Sequence, residues 1–139
     1  SVQRRSALDI EQLASPITAD VVLGDSMGEM AMYYAASDIA YIGGSLIPLG
    51  GQNLIEACAV GTPVLMGPHT FNFAQATEDA IAAGACERVA NADELMAAAA
   101  VMLGDEARLA DKRAHALTFA GLHRGATART LGALAPVLR

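Results

Sequence analysis

The segment Gly50–Phe73, GGQNLIEACAVGTPVLMGPHTFNF, contains one complete unit of an α/β fold. Its first part, Asn53–Gly61, has helical character, and Val64–Met66 is an apolar run without alternation that Gly67 follows at once. Apolar runs of this kind are typical of strands that are buried on both faces of a parallel sheet. The segment therefore predicts a helix, a buried strand and a turn, in that order.

The same order of elements continues on the amino-terminal side. Val21–Leu23 and Ile39–Ile42 are also short apolar runs followed by glycine, and Ser26–Ser37 between them has helical character. Alternating strands and helices predict βαβ units with right-handed crossovers. We therefore expect an α/β, Rossmann-like three-layer domain with a mostly parallel sheet and carboxy-terminal helices.

The remaining elements are two strands with weaker sequence signals and four helices. Asn91 opens an N-cap box in front of a helix, and Gly84 has the position of a C′ residue that ends one. The expected elements are a strand at Val2–Arg5, a helix at Phe73–Ala83, a strand at Ala85–Val89, and helices at Ala92–Leu103, Asp105–Phe119 and Gly125–Leu138.

Composition limits the class of protein. The 139 residues, 53% of them hydrophobic, fit one domain with a sizeable core. Nine Lys and Arg against fifteen Asp and Glu leave a net charge of -6, with no basic stripe that could follow a nucleic-acid backbone. No apolar stretch reaches the roughly 20 residues that span a bilayer, and no signal peptide is apparent. We expect a soluble cytoplasmic domain that does not bind nucleic acid and, since Ser1 is not an initiator Met, a fragment of a longer protein.

Neither the cysteines nor any acidic motif predicts a metal or a cofactor. Cys58 and Cys86 lack metal-ligand spacing and lie in apolar, Ala-rich surroundings, where a free cysteine behaves as a small hydrophobic residue. The sequence contains no Asp-x-Asp motif. We expect no metal, no cofactor and no nucleophilic cysteine.

The residues that follow the predicted strands could carry chemistry. Gly24–Glu29 follows the first strand, Gly43–Ser45 and then Gly50–Asn53 follow the second, and Gly67–Thr70 follows the third. In open α/β sheets, ligands bind beyond the carboxyl ends of the strands, where glycine lets the backbone approach and helix N-termini present free N–H groups. We therefore predict that these segments line one cleft.

Two carboxylates in these segments have more than one interpretation. Ser26-x-x-Glu29 and Asn53-x-x-Glu56 both have the spacing of a capping box, in which each glutamate only satisfies first-turn N–H donors. Alternatively, each could accept hydrogen bonds from a ribose diol while nearby N–H groups bind a phosphate. The glycines form neither a Walker A motif nor a Gly-x-Gly-x-x-Gly fingerprint.

Two functions of other kinds are also open at this point. Glu29 and Glu56 could be the carboxylate pair of a glycosidase, although an aromatic content of 4% argues against a sugar platform around them. A flavodoxin-like interaction module without nucleotide would need an acidic cluster at the strand ends, which Asp25 and Asp38 do not supply convincingly.

Taken together, the motifs are more specific than any of them alone. Gly24–Phe73 contains Gly-Gly-Ser, Gly-Gly-x-Asn-x-x-Glu and Gly-Pro-His-Thr-x-Asn-Phe, and it closely resembles the donor-binding half of 3-deoxy-D-manno-octulosonic acid (Kdo) transferases. The resemblance is strong over Val21–Ala83 and extends to the flanks in pattern only. It implies one half of a GT-B fold, in which two Rossmann-type domains face each other across a cleft. It also implies CMP-Kdo as sugar donor and lipid A precursor as acceptor.

The resemblance further implies which residues contact the nucleotide. Glu56 would bind the ribose, and the helix that starts at Asn53 would bind the phosphate. The implied CMP-binding residues are Met27, Gly28, Glu29, Asn53, Leu54, Ile55 and Glu56, and the further residues expected to shape the cleft are Gly43, Gly44, Ser45, Gly50, Gly51, His69, Thr70 and Asn72. Gln52 stands where many members would have His, so its role stays open.

The catalytic residues that the resemblance implies lie outside this chain. The Glu base and a nucleotide-contacting Pro-Arg-His-Pro segment would precede Ser1, so we expect no catalytic residue here and an inactive fragment. The whole enzyme would be an inverting, metal-independent glycosyltransferase at the cytoplasmic face of the bacterial inner membrane, meeting its acceptor and the membrane through the amino-terminal domain. Another GT-B transferase or a UDP-sugar epimerase is the alternative among enzymes.

Overall fold

Strands and helices alternate along most of the chain, and helices alone follow the last strand. The computed structural model describes residues 1–8 and 16–137. Short 3-10 turns occupy Arg5–Ala7 and Phe71–Phe73. The strands are β1 Val2–Arg4, β2 Val21–Leu23, β3 Ala40–Tyr41, β4 Val64–Met66 and β5 Cys86–Arg88, and the helices are α1 Met30–Ala35, α2 Ile55–Ala59, α3 Ala74–Ala82, α4 Ala92–Leu103, α5 Glu106–Leu122 and α6 Ala126–Leu134.

All strand pairs in the described residues are parallel, which confirms the predicted α/β class. They form two ladders, β1–β2 and β3–β4–β5, where one sheet was expected. In the first ladder Arg4 lies opposite Leu23, and in the second Val64 lies between Ala40 and Cys86. β2 and β3 are only three and two residues long, so they offer few backbone groups for a shared ladder.

The hydrophobic core surrounds β4. All three β4 residues are buried, because β3 and β5 flank the strand and helices cover it. Leu54, Ala80 and Phe119 from the surrounding segments belong to the same core cluster. Removing a leucine or phenylalanine side chain from water stabilises the fold by about 1.5–3 kcal/mol. The apolar run at Val64–Met66 thus correctly predicted the central strand.

The prediction of a strand buried on both faces was wrong for β2. Val21, Val22 and Leu23 are each 40–53% exposed in the described residues. β2 has a ladder partner on one edge only, so its apolar side chains are only partly covered. An apolar run therefore predicts a strand, whereas its burial depends on what packs against it.

The helix ends at Asn91 and Gly84 follow the predicted signals. The Asn91 Oδ1 accepts a hydrogen bond from the Glu94 N–H at 2.9 Å, and Asp105 caps α5 through the Arg108 N–H at 3.0 Å. Gly84 has a φ of +75° directly after the end of α3, as a C′ residue requires. α6 ends at Leu134, before Pro136, and residue 138 of the predicted helix lies outside the described residues.

Helix α1 starts later than predicted. It begins at Met30 rather than Ser26, because Gly28 has a φ of +80°, in the left-handed region that a right-handed helix excludes. Residues 24–29 therefore form a loop between β2 and α1.

A buried serine joins the loops that follow β3 and β4. The Ser45 hydroxyl donates to the Ile42 carbonyl at 2.6 Å and accepts from the Gly67 N–H at 2.9 Å. The Ser45 carbonyl accepts from the His69 N–H at 2.9 Å. A Cβ on Gly67 would lie 2.3 Å from the Ser45 carbonyl oxygen, so the two backbones approach as closely as only glycine permits.

We expect Gly67→Ala to lower the free energy of unfolding by about 2–3 kcal/mol, because the added methyl group meets backbone atoms that cannot rotate away. Gly121→Ala is the matched control, since this α5 glycine has no described atom within 4 Å of its added Cβ. Because Gly121 is the last residue but one of α5, alanine there should change the free energy of unfolding by less than about 1 kcal/mol. Denaturant unfolding measures both variants, and equal stabilities would contradict the close approach.

Candidate functional site

A cleft of about 450 Å³ lies at the carboxyl end of β3. Its walls come from three places: helix α1, the end of β3 with the glycine after it, and the start of α2. Of the four segments predicted to line one cleft, two contribute lining residues: Gly43 from Gly43–Ser45, and Gln52 and Asn53 from Gly50–Asn53. No residue of 24–29 or 67–70 lines this cleft. The lining residues are Met30, Tyr34, Tyr41, Ile42, Gly43, Gln52, Asn53 and Glu56.

Asn53 and Glu56 hold each other at the mouth of this cleft. The Asn53 Oδ1 accepts from the Ile55 N–H at 3.1 Å, while the Asn53 Nδ2 donates to the Glu56 Oε1 at 2.9 Å. Asn53 therefore bonds the first N–H group of α2 from outside the helix, since Leu54 is the N-cap residue and makes no side-chain capping bond. Glu56 bonds the Asn53 side chain, where a capping box would use the Asn53 backbone N–H. The Asn53 side chain orients the Glu56 carboxylate. Because Glu56 is exposed, this carboxylate is also accessible to a ligand.

Two aromatic rings line the same cleft. Tyr34 is half-buried, and burial, followed by the charge of the nearby Glu56 carboxylate, raises the pKa of Tyr34. The Tyr41 hydroxyl accepts from the Leu46 N–H at 3.3 Å. The low aromatic content was misleading here, since two of the three tyrosines in the sequence lie at this site. Flat rings beside a carboxylate suit a base or a sugar ring.

Neither tyrosine was predicted from the sequence to lie at the site. Tyr34 belongs to helix α1 and Tyr41 to strand β3, and side chains in such elements are expected to pack. The available signal was the position of Tyr41, two residues before Gly43 at a strand end. Gln52, whose role was left open, also lines the cleft.

The loop between β2 and α1 presents its tip to solvent. Met27 is 97% exposed, and Gly28 has open space around it. Glu29 instead turns toward Arg5, whose Nη2 donates to the Glu29 Oε1 at 2.6 Å. The Ser26 and Tyr33 hydroxyls donate to the other oxygen of Glu29.

Of the two interpretations left open for Ser26 and Glu29, the capping box is therefore wrong. Glu29 precedes α1 without a side-chain capping bond. The hydrogen bond from Ser26, together with the Arg5 charge, holds the pKa of Glu29 below its usual range. Glu29 is engaged by Arg5, Ser26 and Tyr33, and Glu56 lines a cleft that Glu29 does not line, so this geometry does not favour the carboxylate pair of a glycosidase.

Several of the expected cleft residues are not among those that line the cleft and instead bond the loops that follow β3 and β4 to one another. The Gly51 N–H donates to the Gly44 carbonyl at 3.2 Å, and the Asn72 Nδ2 donates to the Leu49 carbonyl at 3.1 Å. A Cβ on Gly50 would lie 2.4 Å from the Asn72 Nδ2, which explains a glycine at this position.

Other residues expected at the site are buried or face elsewhere. Ser45 and Thr70 are buried, and His69 is half-buried. The Leu54 side chain belongs to the core, and Ile55 packs against the core, so only their backbones could reach a nucleotide. The ligand roles of these residues stay predictions.

The two cysteines behave as core residues. Burial raises the pKa of Cys58 and of Cys86 to about 12, which keeps both thiols protonated at neutral pH. Within residues 1–8 and 16–137, no group of three or more His, Cys, Asp and Glu side chains could hold a metal ion. None of the described helices combines the length and the apolar character needed to span a membrane.

Sequence relatives identify the family. No family model matches the chain. The 3-deoxy-D-manno-octulosonic acid transferase of Bordetella pertussis is 55% identical over 115 residues, which are 83% of this chain and 27% of that protein. The enzyme of the same name from Haemophilus influenzae is 57% identical over 53 residues, which are 38% of this chain and 12% of that protein. The chain thus spans about a quarter or less of the length of these curated relatives.

A solved structure has the same fold. It is the C-terminal CMP-Kdo binding domain of WaaA from Acinetobacter baumannii, with a TM-score of 0.73 and 29% sequence identity. The superposition covers 85% of this chain and 60% of that one. By sequence and by fold together, this chain belongs to the 3-deoxy-D-manno-octulosonic acid transferase family and corresponds to its carboxy-terminal domain.

Proposed function

We propose that this chain is the donor-binding part of a glycosyltransferase that moves Kdo from CMP-Kdo to lipid A precursor. The observation that carries the proposal is the cleft at Asn53 and Glu56, in a fold that matches a CMP-Kdo binding domain. The cleft lies beyond the end of β3, where parallel α/β sheets bind nucleotides.

Glu56 is the residue that we assign to the ribose. Its Oε1 accepts from Asn53, which fixes the carboxylate in one orientation and leaves lone pairs for the ribose hydroxyls. Hydrogen bonds to an ionised carboxylate are stronger than those between neutral groups. Tyr34 and Tyr41 supply flat apolar walls for the rest of the nucleoside.

The phosphate would lie near the start of α2. The Ile55 N–H is taken by the Asn53 Oδ1, so the phosphate would use the remaining first-turn N–H groups and the backbone at Gly43. From the loop before α1, Met27 and Gly28 are free to contact CMP, whereas Glu29 would shape the loop through its internal bonds.

The reaction itself would be completed by groups outside this chain. A base would take the proton of an acceptor hydroxyl, whose oxygen attacks the anomeric carbon of Kdo as the bond from that carbon to the CMP phosphate breaks. Attack opposite the leaving group inverts the anomeric carbon. N–H donors at the cleft would stabilise the charge on the departing phosphate without a metal.

In titration calorimetry, the purified protein should bind CMP more tightly than UMP, and EDTA should leave CMP binding unchanged. Cytosine and uracil have opposite hydrogen-bonding patterns at two adjacent positions, the 4-substituent and N3, and a buried mismatch there leaves polar groups unpaired. A clear preference for UMP would instead favour a UDP-sugar enzyme.

Glu56→Ala should weaken CMP binding roughly 10- to 100-fold, the effect of losing hydrogen bonds to a charged group. Glu106→Ala is the matched control, because Glu106 is also a glutamate in the first turn of a helix, outside the cleft. CMP affinity is measured by calorimetry and stability by thermal unfolding. An unchanged CMP affinity with reduced stability would show that Glu56 stabilises α2 and does not bind CMP.

The purified chain should transfer no sugar from CMP-Kdo to lipid A precursor, because it contains no residue assigned as the base. A radiolabelled transfer assay, with an intact Kdo transferase as positive control, measures this directly. Product formed by the chain alone would place the base within these 139 residues.

A further inference from the structure

We propose that Arg5 and Ser6 are positioning residues of the donor site, which hold the loop of residues 24–29 at both of its ends. The inference rests on the proposed function, in which Met27 and Gly28 at the tip of this loop contact CMP. Arg5 and Ser6 lie outside every motif that sequence analysis singled out, and neither lines the Glu56 cleft.

Ser6 holds the first end of the loop. Its N–H donates to the Asp25 Oδ1 at 2.9 Å, and its hydroxyl donates to the Asp25 Oδ2 at 2.7 Å. Both carboxylate oxygens are thus bound by one residue, 19 positions earlier in the chain. The Ser6 hydroxyl and N–H hold the pKa of Asp25 below its usual range, which keeps this acceptor ionised.

Arg5 holds the second end. Its Nη2 donates to the Glu29 Oε1 at 2.6 Å, and the exposed fractions of the two side chains are only 18% and 26%. The Arg5 Nη1 also donates to the Leu8 carbonyl at 3.4 Å, within its own 3-10 turn. A partly buried pair of this kind is screened less by water than a surface ion pair is.

The pairing of β1 with β2 places these groups together. Because Arg4 lies opposite Leu23 in the parallel ladder, the turn after β1 and the loop after β2 leave the sheet at the same edge. Between the two held ends, Met27 is almost fully exposed, and a Cβ on Gly28 would meet no described atom within 4 Å other than its chain neighbours. The conformation of the tip therefore depends on its ends.

A loop that is ordered before its ligand arrives loses less conformational entropy on binding. Removing the Ser6 hydroxyl should free one end of the loop and lower the affinity for CMP, although Ser6 does not touch CMP. We expect Ser6→Ala to weaken CMP binding roughly 3- to 10-fold, the range for one hydrogen bond. Ser6→Thr, which keeps the hydroxyl, should have the CMP affinity of the wild-type enzyme.

The experiment uses the full-length enzyme, with CMP affinity from calorimetry and loop order from hydrogen–deuterium exchange of the peptide that contains residues 24–29. Ser6→Ala should raise exchange in this peptide and leave exchange in α4 unchanged. Arg4→Gln is the matched control, because Arg4 is 70% exposed and lies 3.8 Å from Asp25. Its CMP affinity should change less than twofold.

Two results would overturn the inference: unchanged CMP affinity in Ser6→Ala, or reduced affinity with no change in loop exchange. Should Ser6→Ala fail to fold, Asp25→Asn tests the same contact from the other side. A wild-type enzyme that does not bind CMP would refute the proposed function, whereas CMP binding that depends on Glu56 and not on Ser6 would refute only this inference.

Discussion

The fold around the candidate site depends on the contact between Ser45 and Gly67. One buried hydroxyl satisfies a carbonyl after β3 and an N–H after β4, and this is possible only because Gly67 has no side chain. β3 contributes only two residues to the ladder. The ends of β3 and β4 are therefore held in place by side-chain hydrogen bonds, a role that backbone hydrogen bonds have in a longer ladder. The Glu56 cleft opens beside this junction, where Ile42 and Gly43 precede Ser45.

Two motifs of identical spacing have different structures, which shows what spacing alone leaves open. Asn53 lies at the start of a helix and orients Glu56 toward a cleft. Ser26 is followed by Gly28 in a left-handed conformation, so the helix begins after Glu29 and that carboxylate turns to Arg5. Gly28 sets the late start of that helix locally, whereas the charged partner that Glu29 takes is 24 positions away, beyond the reach of any local pattern.

Sequence reasoning succeeded where local chemistry decides the structure. The apolar runs ending in glycine located β2, β3 and β4, and Asn91 located the start of α4. It failed where the outcome depends on neighbours distant in sequence. The exposure of β2 follows from what packs against it, and the place of Tyr34 at the cleft follows from how α1 packs beside α2. The family resemblance correctly indicated the carboxy-terminal domain. Only the contacts in the structure show that Glu56 lines the cleft, whereas Glu29 bonds Arg5.

The burial of the two thiols has a consequence for how the core can be observed. Alkylating reagents attack the thiolate, and Cys58 and Cys86 are both protonated and enclosed in the native fold. Any modification of these residues must pass through a transient opening of the α2 and β5 region. The rate at which these two cysteines are alkylated therefore measures the free energy of that opening, without an engineered label.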